Sequence, residues 1–196
     1  MATIGLDHPV YAPITTGEDG YEQYGEVKTL ARAISADLSI ETAEAVLYAD
    51  DGVDEMAKEF ASGTISLVAI NLTGEVMHDL TGAVYNEKGV LIQSGEDSPT
   101  PVAFGFRAKK ANGKYRYFWL YRVVFAPPNE SLSTKADSIT FTTPTIEGTI
   151  ACRNKPTKDG KHPWKAEITD GEKNADAGVI ANWFTEVYDP DASEAV

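Results

Sequence analysis

The side chains with which this chain could do chemistry are three histidines, one cysteine and thirty carboxylates. His8, His78 and His162 are far apart, and none lies near Cys152 in sequence. Structural and catalytic zinc sites draw on His and Cys ligands, most of them closely spaced, and no such spacing occurs. His8 and His162 each precede a proline and read as loop or strand-start residues, while His78 falls on the exposed side of a short helix. Cys152 is the single cysteine, so no internal disulfide forms. It ends the strand-like run from Gly148, where a small apolar residue explains it better than a catalytic thiol. Asp50-Asp51-Gly52-Val53-Asp54 lacks the alternating acids and closing glutamate of a calcium loop and reads as a solvated turn. There is no Gly-x-Gly-x-x-Gly, no Walker-type phosphate loop and no Gly-x-Ser-x-Gly elbow. Nothing singles out an acid pair for glycoside hydrolysis. The expectation is a protein that is not an enzyme and has no cofactor and no catalytic or metal-binding residues.

Charge is better organised than chemistry. The formal net charge is −13, which argues against duplex DNA as a tightly held ligand, because such binding needs clustered Lys and Arg to release counterions. Six basic residues lie between Arg107 and Arg122 (Arg107, Lys109, Lys110, Lys114, Arg116, Arg122), with no acid among them. Between Asp37 and Glu59 eight acids (Asp37, Glu41, Glu44, Asp50, Asp51, Asp54, Glu55, Glu59) face one base, Lys58. Two solvated surfaces of opposite sign would account for this. So would complementary patches that join one copy to the next.

The elements that carry these patches read mostly as strands. Hydrophobic residues make up 42% of 196 residues, enough for a core. No apolar run approaches membrane-spanning length, and the N-terminus has neither the basic start nor the apolar stretch of a secretory signal. His8–Thr15 suits a strand, and the acidic, glycine-containing stretch over about 16–26 suits a loop. Val27–Tyr48 partly alternates as a half-buried strand does. Val53–Phe60 fits either one helical face or an extended arm. Ser62–Leu72 is a strand, and a short helix starts near Thr73 with Gly82 as its cap. Val90–Gln93 is a short strand.

Val102–Phe125 is a hairpin about Asn112-Gly113, read as a two-residue turn. That register sets Phe106 opposite Trp119 and Phe104 opposite Tyr121, and gathers the aromatics on one face. Asp137–Thr143, Thr145–Cys152 and Trp164–Thr169 read as strands, about 175–188 as a helix with Val179, Ile180, Trp183 and Val187 on one stripe, and 189–196 as a mobile tail. The simplest fold class is mainly β, one domain over 1–196, a single β-sandwich or partly open barrel with one or two short flanking helices.

The order of these features resembles one family. Leu47-Tyr48-Ala49-Asp50-Asp51 is followed by an acidic arm, then by Ser62-Gly63-Thr64-Ile65-Ser66-Leu67, a short helix and Gly82. Next come Tyr117-Phe-Trp-Leu-Tyr-Arg122 with the Phe125-Ala-Pro stop, a Thr-rich strand pair, Trp164-Lys-Ala-Glu, and Trp183-Phe-Thr-Glu-Val-Tyr188. From about Pro9 to Tyr188 this resembles the major tail (tail tube) proteins of long, non-contractile-tailed bacteriophages. The resemblance implies a β-sandwich-like core with a flanking helix, hexameric rings stacked into a tube through which the genome passes without specific binding, and no catalytic residues or cofactor. It also implies arms that reach a neighbour, which assigns about 50–61 to an arm. Its implied partners are copies of itself and other tail proteins, with no membrane, in a virion tail made in a bacterial host cytoplasm. The charge pattern then nominates Asp50, Asp51, Asp54, Glu55, Glu59, Arg107, Lys109, Lys114 and Arg116 as subunit-interface residues. The rival reading is a β-sandwich carbohydrate-binding module that uses exposed aromatics such as Tyr115, Tyr117 or Tyr121.

Overall fold

The structure is a computed structural model that describes residues 3–49, 52–130 and 143–192, with residues 46–49 and 52–56 described by backbone alone. In chain order the elements are β1 (Thr3–Thr16), β2 (Glu22–Tyr24), β3 (Lys28–Thr29), β4 (Arg32–Ala49), β5 (Gly52–Ile70), α1 (Gly74–Thr81), β6 (Val84–Tyr85), β7 (Leu91–Ile92), β8 (Val102–Lys110), β9 (Tyr115–Phe125), β10 (Thr145–Ala151), β11 (Lys165–Thr169) and α2 (Ala177–Asn182). The chain is mainly β, as its alternation and turn chemistry predict.

One antiparallel sheet dominates, in the order β2-β1-β8-β9-β10-β5-β4, with β3 added to β1 and β11 to β9. β6 and β7 form a separate two-stranded sheet. The large sheet curls. β3 pairs with β1 through Val10 and Tyr11 and then runs on into β4, and the Leu30 N–H donates to the Pro9 carbonyl at 3.0 Å. The start of β4 is thereby drawn toward β1, yet among the described residues no ladder joins the two. The result is a partly open barrel rather than a closed one.

Both faces of the sheet are buried over its middle. Inside the curl lie Ile65, Leu67, Phe104, Phe106, Phe118, Leu120, Ile146 and Ile150, closed at one end by Val76 and Leu80 of α1. On the outer face, Ala103, Tyr117, Trp119 and Tyr121 lie under Trp183 and Val187 from the C-terminal segment. Trp119 donates its indole N–H to the Trp183 carbonyl at 2.8 Å, so the one polar atom of this buried side chain is satisfied.

The β8–β9 register differs by one residue from the sequence expectation. Phe106 pairs with Phe118, Gly105 with Trp119 and Phe104 with Leu120. The turn has three residues, not two. The Gly113 N–H donates to Lys110 O, the Lys110 N–H to Lys114 O, and Gly113 sits at φ 82°. This is a turn followed by a left-handed glycine, the other common short hairpin connection. A slip of one residue moves every partner side chain to the opposite face, so the aromatics divide between the two faces instead of sharing one.

Other expectations are met or shortened. α1 begins at Thr73, whose hydroxyl accepts from the Val76 N–H, and ends at Gly82 in the left-handed region. The expected helix over 175–188 is only Ala177–Asn182, capped by Asp176, and its continuation is turn-like although Trp183 and Val187 are buried as the stripe requires. The loop over 16–26 contains β2, whose Ile14↔Tyr24 register pairs it with β1. Val53–Phe60 is extended, within β5. The tail assigned to 189–196 is tied down where it is described: Asp189 pairs with Arg153 at 3.2 Å and with Lys155 at 2.7 Å. The strand expected at Asp137–Thr143 falls, but for Thr143, outside the described residues.

Candidate functional site

β4 and β5 are far longer than the body of the sheet needs. Their proximal halves belong to it: Ala36 pairs with Leu67, Leu38 with Ile65 and Ile40 with Gly63, while the other side of β5 pairs with β10 from Val68 to Gly63. A register shift follows Glu41. Phe60 then stacks on Trp164, with ring centroids 4.6 Å apart and planes within 6°, and this contact fastens the hairpin to the body.

Beyond Phe60 the pairing continues from Thr42↔Phe60 to Ala49↔Gly52, and Thr42–Ala45 and Ala57–Glu59 are all exposed. At ~3.3 Å per residue this arm is roughly 25 Å long. A lone two-stranded hairpin is marginal in water. Among the described side chains of the arm the one ion pair is internal, Lys58 to Glu44 at 3.1 Å.

Two further features surround the arm. Among the described residues β4 pairs only with β5, so its other edge carries no ladder there. Exposed edges carry unpaired N–H and C=O groups and recruit other strands. The outer face at the base of the arm is polar and acidic: the registers set Asp37, Ser39 and Glu41 beside Ser66, Thr64 and Ser62, and these beside Glu147 and Thr149.

The nominated residues fall into three groups. Asp50 and Asp51 lie outside the described residues. Asp54 and Glu55 are on β5 within the arm, with Glu55 opposite Leu47, and Glu59 is exposed opposite Ala43. The basic hairpin is less free than its sequence suggests. Arg107 pairs with Asp7 and lies over the Tyr115 ring at 4.5 Å. Arg116 pairs with Glu167 at 2.8 Å, and Arg122 with Glu22. Lys109, Lys110 and Lys114 make no ion pair among the described residues. The available positive charge therefore contracts to the tip of the β8–β9 turn. No ion pair among the described residues joins this tip to the arm of the same chain.

The aromatic platform of the rival reading is not available. Tyr117 and Tyr121 are 9% and 1% exposed, and Tyr115 is half-buried beneath Arg107. Burial pushes the Tyr121 hydroxyl well above its ordinary range, against the opposing pull of Arg153 and with smaller rises from Tyr24 and Asp189.

Two partly buried polar clusters give no signal in the sequence. Tyr11 donates to Asp79 at 2.7 Å, and Lys28 donates to the same carboxylate oxygen at 2.7 Å. Burial raises the Asp79 pKa, but the bonds from Lys28 and Tyr11 outweigh it and hold the carboxyl below its usual value. Arg153, whose side chain is fully buried, lies 5.2 Å from the Tyr121 ring and faces Asp189 and Asp191. Burial also raises Asp189, and again the bonds win: Lys155, the Asp191 N–H and Arg153 together depress it. Both clusters join residues distant in the chain and have no local motif. Cys152 is half-buried, and burial raises its thiol pKa, opposite to the activation a nucleophile needs.

No family model matches this chain, and no curated protein matches it. Among solved structures it superposes on a chain of the six-fold symmetrised cryo-EM structure of the anti-feeding prophage baseplate. Identity is 8% and the TM-score 0.36, over 86% of this chain and 97% of that one. A superposition this loose carries no argument about function.

Proposed function

We propose that this protein is a structural subunit of a phage tail, not an enzyme, and that copies of it assemble into hexameric rings stacked as the tail tube. The observation that carries the reading is the β4–β5 hairpin, whose outer half projects roughly 25 Å from the body and has no described packing partner in its own chain. A solvated hairpin of that length is marginally stable until something covers it. The open β4 edge offers a neighbour a strand to pair with, and head-to-tail contacts between unlike surfaces close into rings or propagate as filaments. The family resemblance in sequence order supplies the ring and tube.

The interface couples the acids of the arm, Asp50, Asp51, Asp54, Glu55 and Glu59, to Lys109 and Lys114 at the β8–β9 tip of the next copy. Arg107 and Arg116 contribute at the margin, since each already has a carboxylate partner. The hydroxyl- and carboxylate-rich face around Asp37, Glu41 and Glu147 faces the lumen, where it repels phosphates and lets DNA pass.

The test removes the arm. Replacing residues 43–58 by a short Asn-Gly turn leaves a folded monomer with unchanged near-UV circular dichroism. Wild-type protein forms rings or tubes under electron microscopy at high concentration, and the shortened variant forms none. Tubes of normal length from the armless variant would sink the proposal.

A further inference from the structure

Four of the exposed large apolar side chains fall within nine residues: Val84, Tyr85, Val90 and Ile92 are each 43–54% exposed. They belong to the β6–β7 hairpin. Val84 pairs directly with Ile92, so these two side chains share a face, and Val90 lies two residues before Ile92 on the same side. The opposite face is the one that attaches the hairpin to the body. The Tyr85 ring lies against Gly74, where it leaves no room for a side chain, and Leu91 and Tyr85 line a cleft beside Met77 of α1. The hairpin is therefore a knob with an attached side and an apolar side turned outward.

A second unpartnered apolar feature is the seam at which the barrel fails to close. Between β1 and the start of β4 lies a cleft of about 410 Å³, lined by the apolar Leu6, Pro9, Ala31, Ala33 and Ile70 together with Asp7, His8, Thr29 and Arg32; Asp7 is already paired with Arg107. Ile70 is 46% exposed and the neighbouring Ile34 54%. Arg32 makes no ion pair among the described residues. The stretch from Val84 to Asp97 carries three acids, Glu87, Glu96 and Asp97, against one lysine, Lys88.

We infer that the β6–β7 knob of one copy seats in the β1–β4 seam of the next, with Val84 and Ile92 against Ile70 and Ala33 and with Glu87 toward Arg32. The inference rests on the self-assembly proposed above and adds a contact separate from the arm. A protruding apolar face and an apolar cleft on different parts of one chain make a head-to-tail junction, which propagates instead of closing as a two-fold dimer does. The charge relation sets its direction, because the unpaired cation at the seam favours Glu87 and the acids that follow β7, Glu96 and Asp97, over a second seam.

The test uses full-length protein and two variants. In the knob variant, Val84→Asp and Ile92→Asp destroy the outward face. In the seam variant, Ile70→Asp and Arg32→Glu destroy the receiving side. Each variant alone is expected to stay folded, with its melting temperature unchanged, and to need at least about tenfold more protein to assemble than wild type. Their equimolar mixture holds one intact knob and one intact seam. At a protein concentration where neither variant assembles alone, it should yield a species of twice the unmixed mass by light scattering.

Normal assembly by either variant alone overturns the contact and leaves the arm-based reading standing. A mixture that does not associate overturns it as well. So does a knob variant that melts much lower without changing assembly, since the knob would then be covered within its own chain. If wild-type protein itself never assembles while the armless and knob variants behave identically to it, the self-assembly reading falls together with this one.

Discussion

The β8–β9 and β4–β5 hairpins are built from the same antiparallel ladder but finish in opposite ways. In β8–β9 each arginine has a carboxylate in the same chain, both faces are covered, and the strands stop where the core stops. In β4–β5 the ladder runs on past the last stacked ring, Phe60 on Trp164, into residues that touch nothing else described in the chain. The first is the interior of a monomer. The second is, beyond Phe60, a ladder whose described side chains are all exposed. The lesson is that strand length and pairing alone do not mark a core: the covering of side chains does, and here it ends midway along one hairpin.

That contrast can be broken or sharpened by substitution. The largest effect is expected at Trp119, fully buried between the sheet and Trp183. Trp119→Ala should cost about 3–5 kcal/mol in urea denaturation of the monomer. A loss under about 1 kcal/mol would mean the outer face is not a true core.

Next is Arg153→Ala, which strands Asp189 and Asp191 without their buried cation. Breaking a buried pair costs ~3 kcal/mol, reduced here because both carboxylates keep some solvent contact. The destabilisation should appear with the C-terminal segment released first, as early loss of amide protection at Thr185, whose N–H donates to Asn182 O at 3.0 Å.

Phe60→Ala lies on the boundary between the two regions. It should cost about 1–2 kcal/mol of monomer stability but reduce assembly far more, as measured by sedimentation. Equal losses in both would erase the distinction between body and arm.

A smaller effect concerns pH. Asp79, Glu167 and Asp189 are each held below their usual values. A depressed carboxylate contributes stability that is fully present above its unfolded pKa, near 4, and that is lost as pH falls through the lower folded value. Melting temperature should therefore decline as pH drops below about 4, and Asp189→Asn should flatten that decline. An unchanged acid limb in the variant would remove Asp189 from the account.

The smallest effect on the monomer is expected for Lys109→Glu with Lys114→Glu. Neither lysine has an ion-pair partner among the described residues, so stability should change by less than about 0.5 kcal/mol while assembly fails. Arg116→Glu is a poorer probe of the interface, because it also breaks the pair with Glu167.

Much of the fold was legible because its signals are local. Thr73 and Gly82 bracket α1 as a hydroxyl cap and a left-handed glycine must, and Asn112-Gly113 located the hairpin turn. The register of that same hairpin was not legible. Asn-Gly serves both two- and three-residue turns, and choosing between them depends on which aromatics find cover on each face, which is a tertiary matter. The helix over 175–188 was overcalled for a related reason: its apolar stripe is real, but Trp183 and Val187 are buried by docking on Tyr117 and Trp119, whatever the backbone does between them.

By itself, then, the amino-acid order determined a β-rich chain, its turns and caps, and a segregation of acid from base along the chain, since each depends on residues within a few positions of one another. Only the tertiary structure decided that the hairpin arginines are already matched by Asp7, Glu167 and Glu22, that Lys109, Lys110 and Lys114 make no ion pair among the described residues, and that Arg153 anchors the C-terminal segment. Those pairings span up to about a hundred residues, and an ion pair depends on distance in space, which no local pattern encodes.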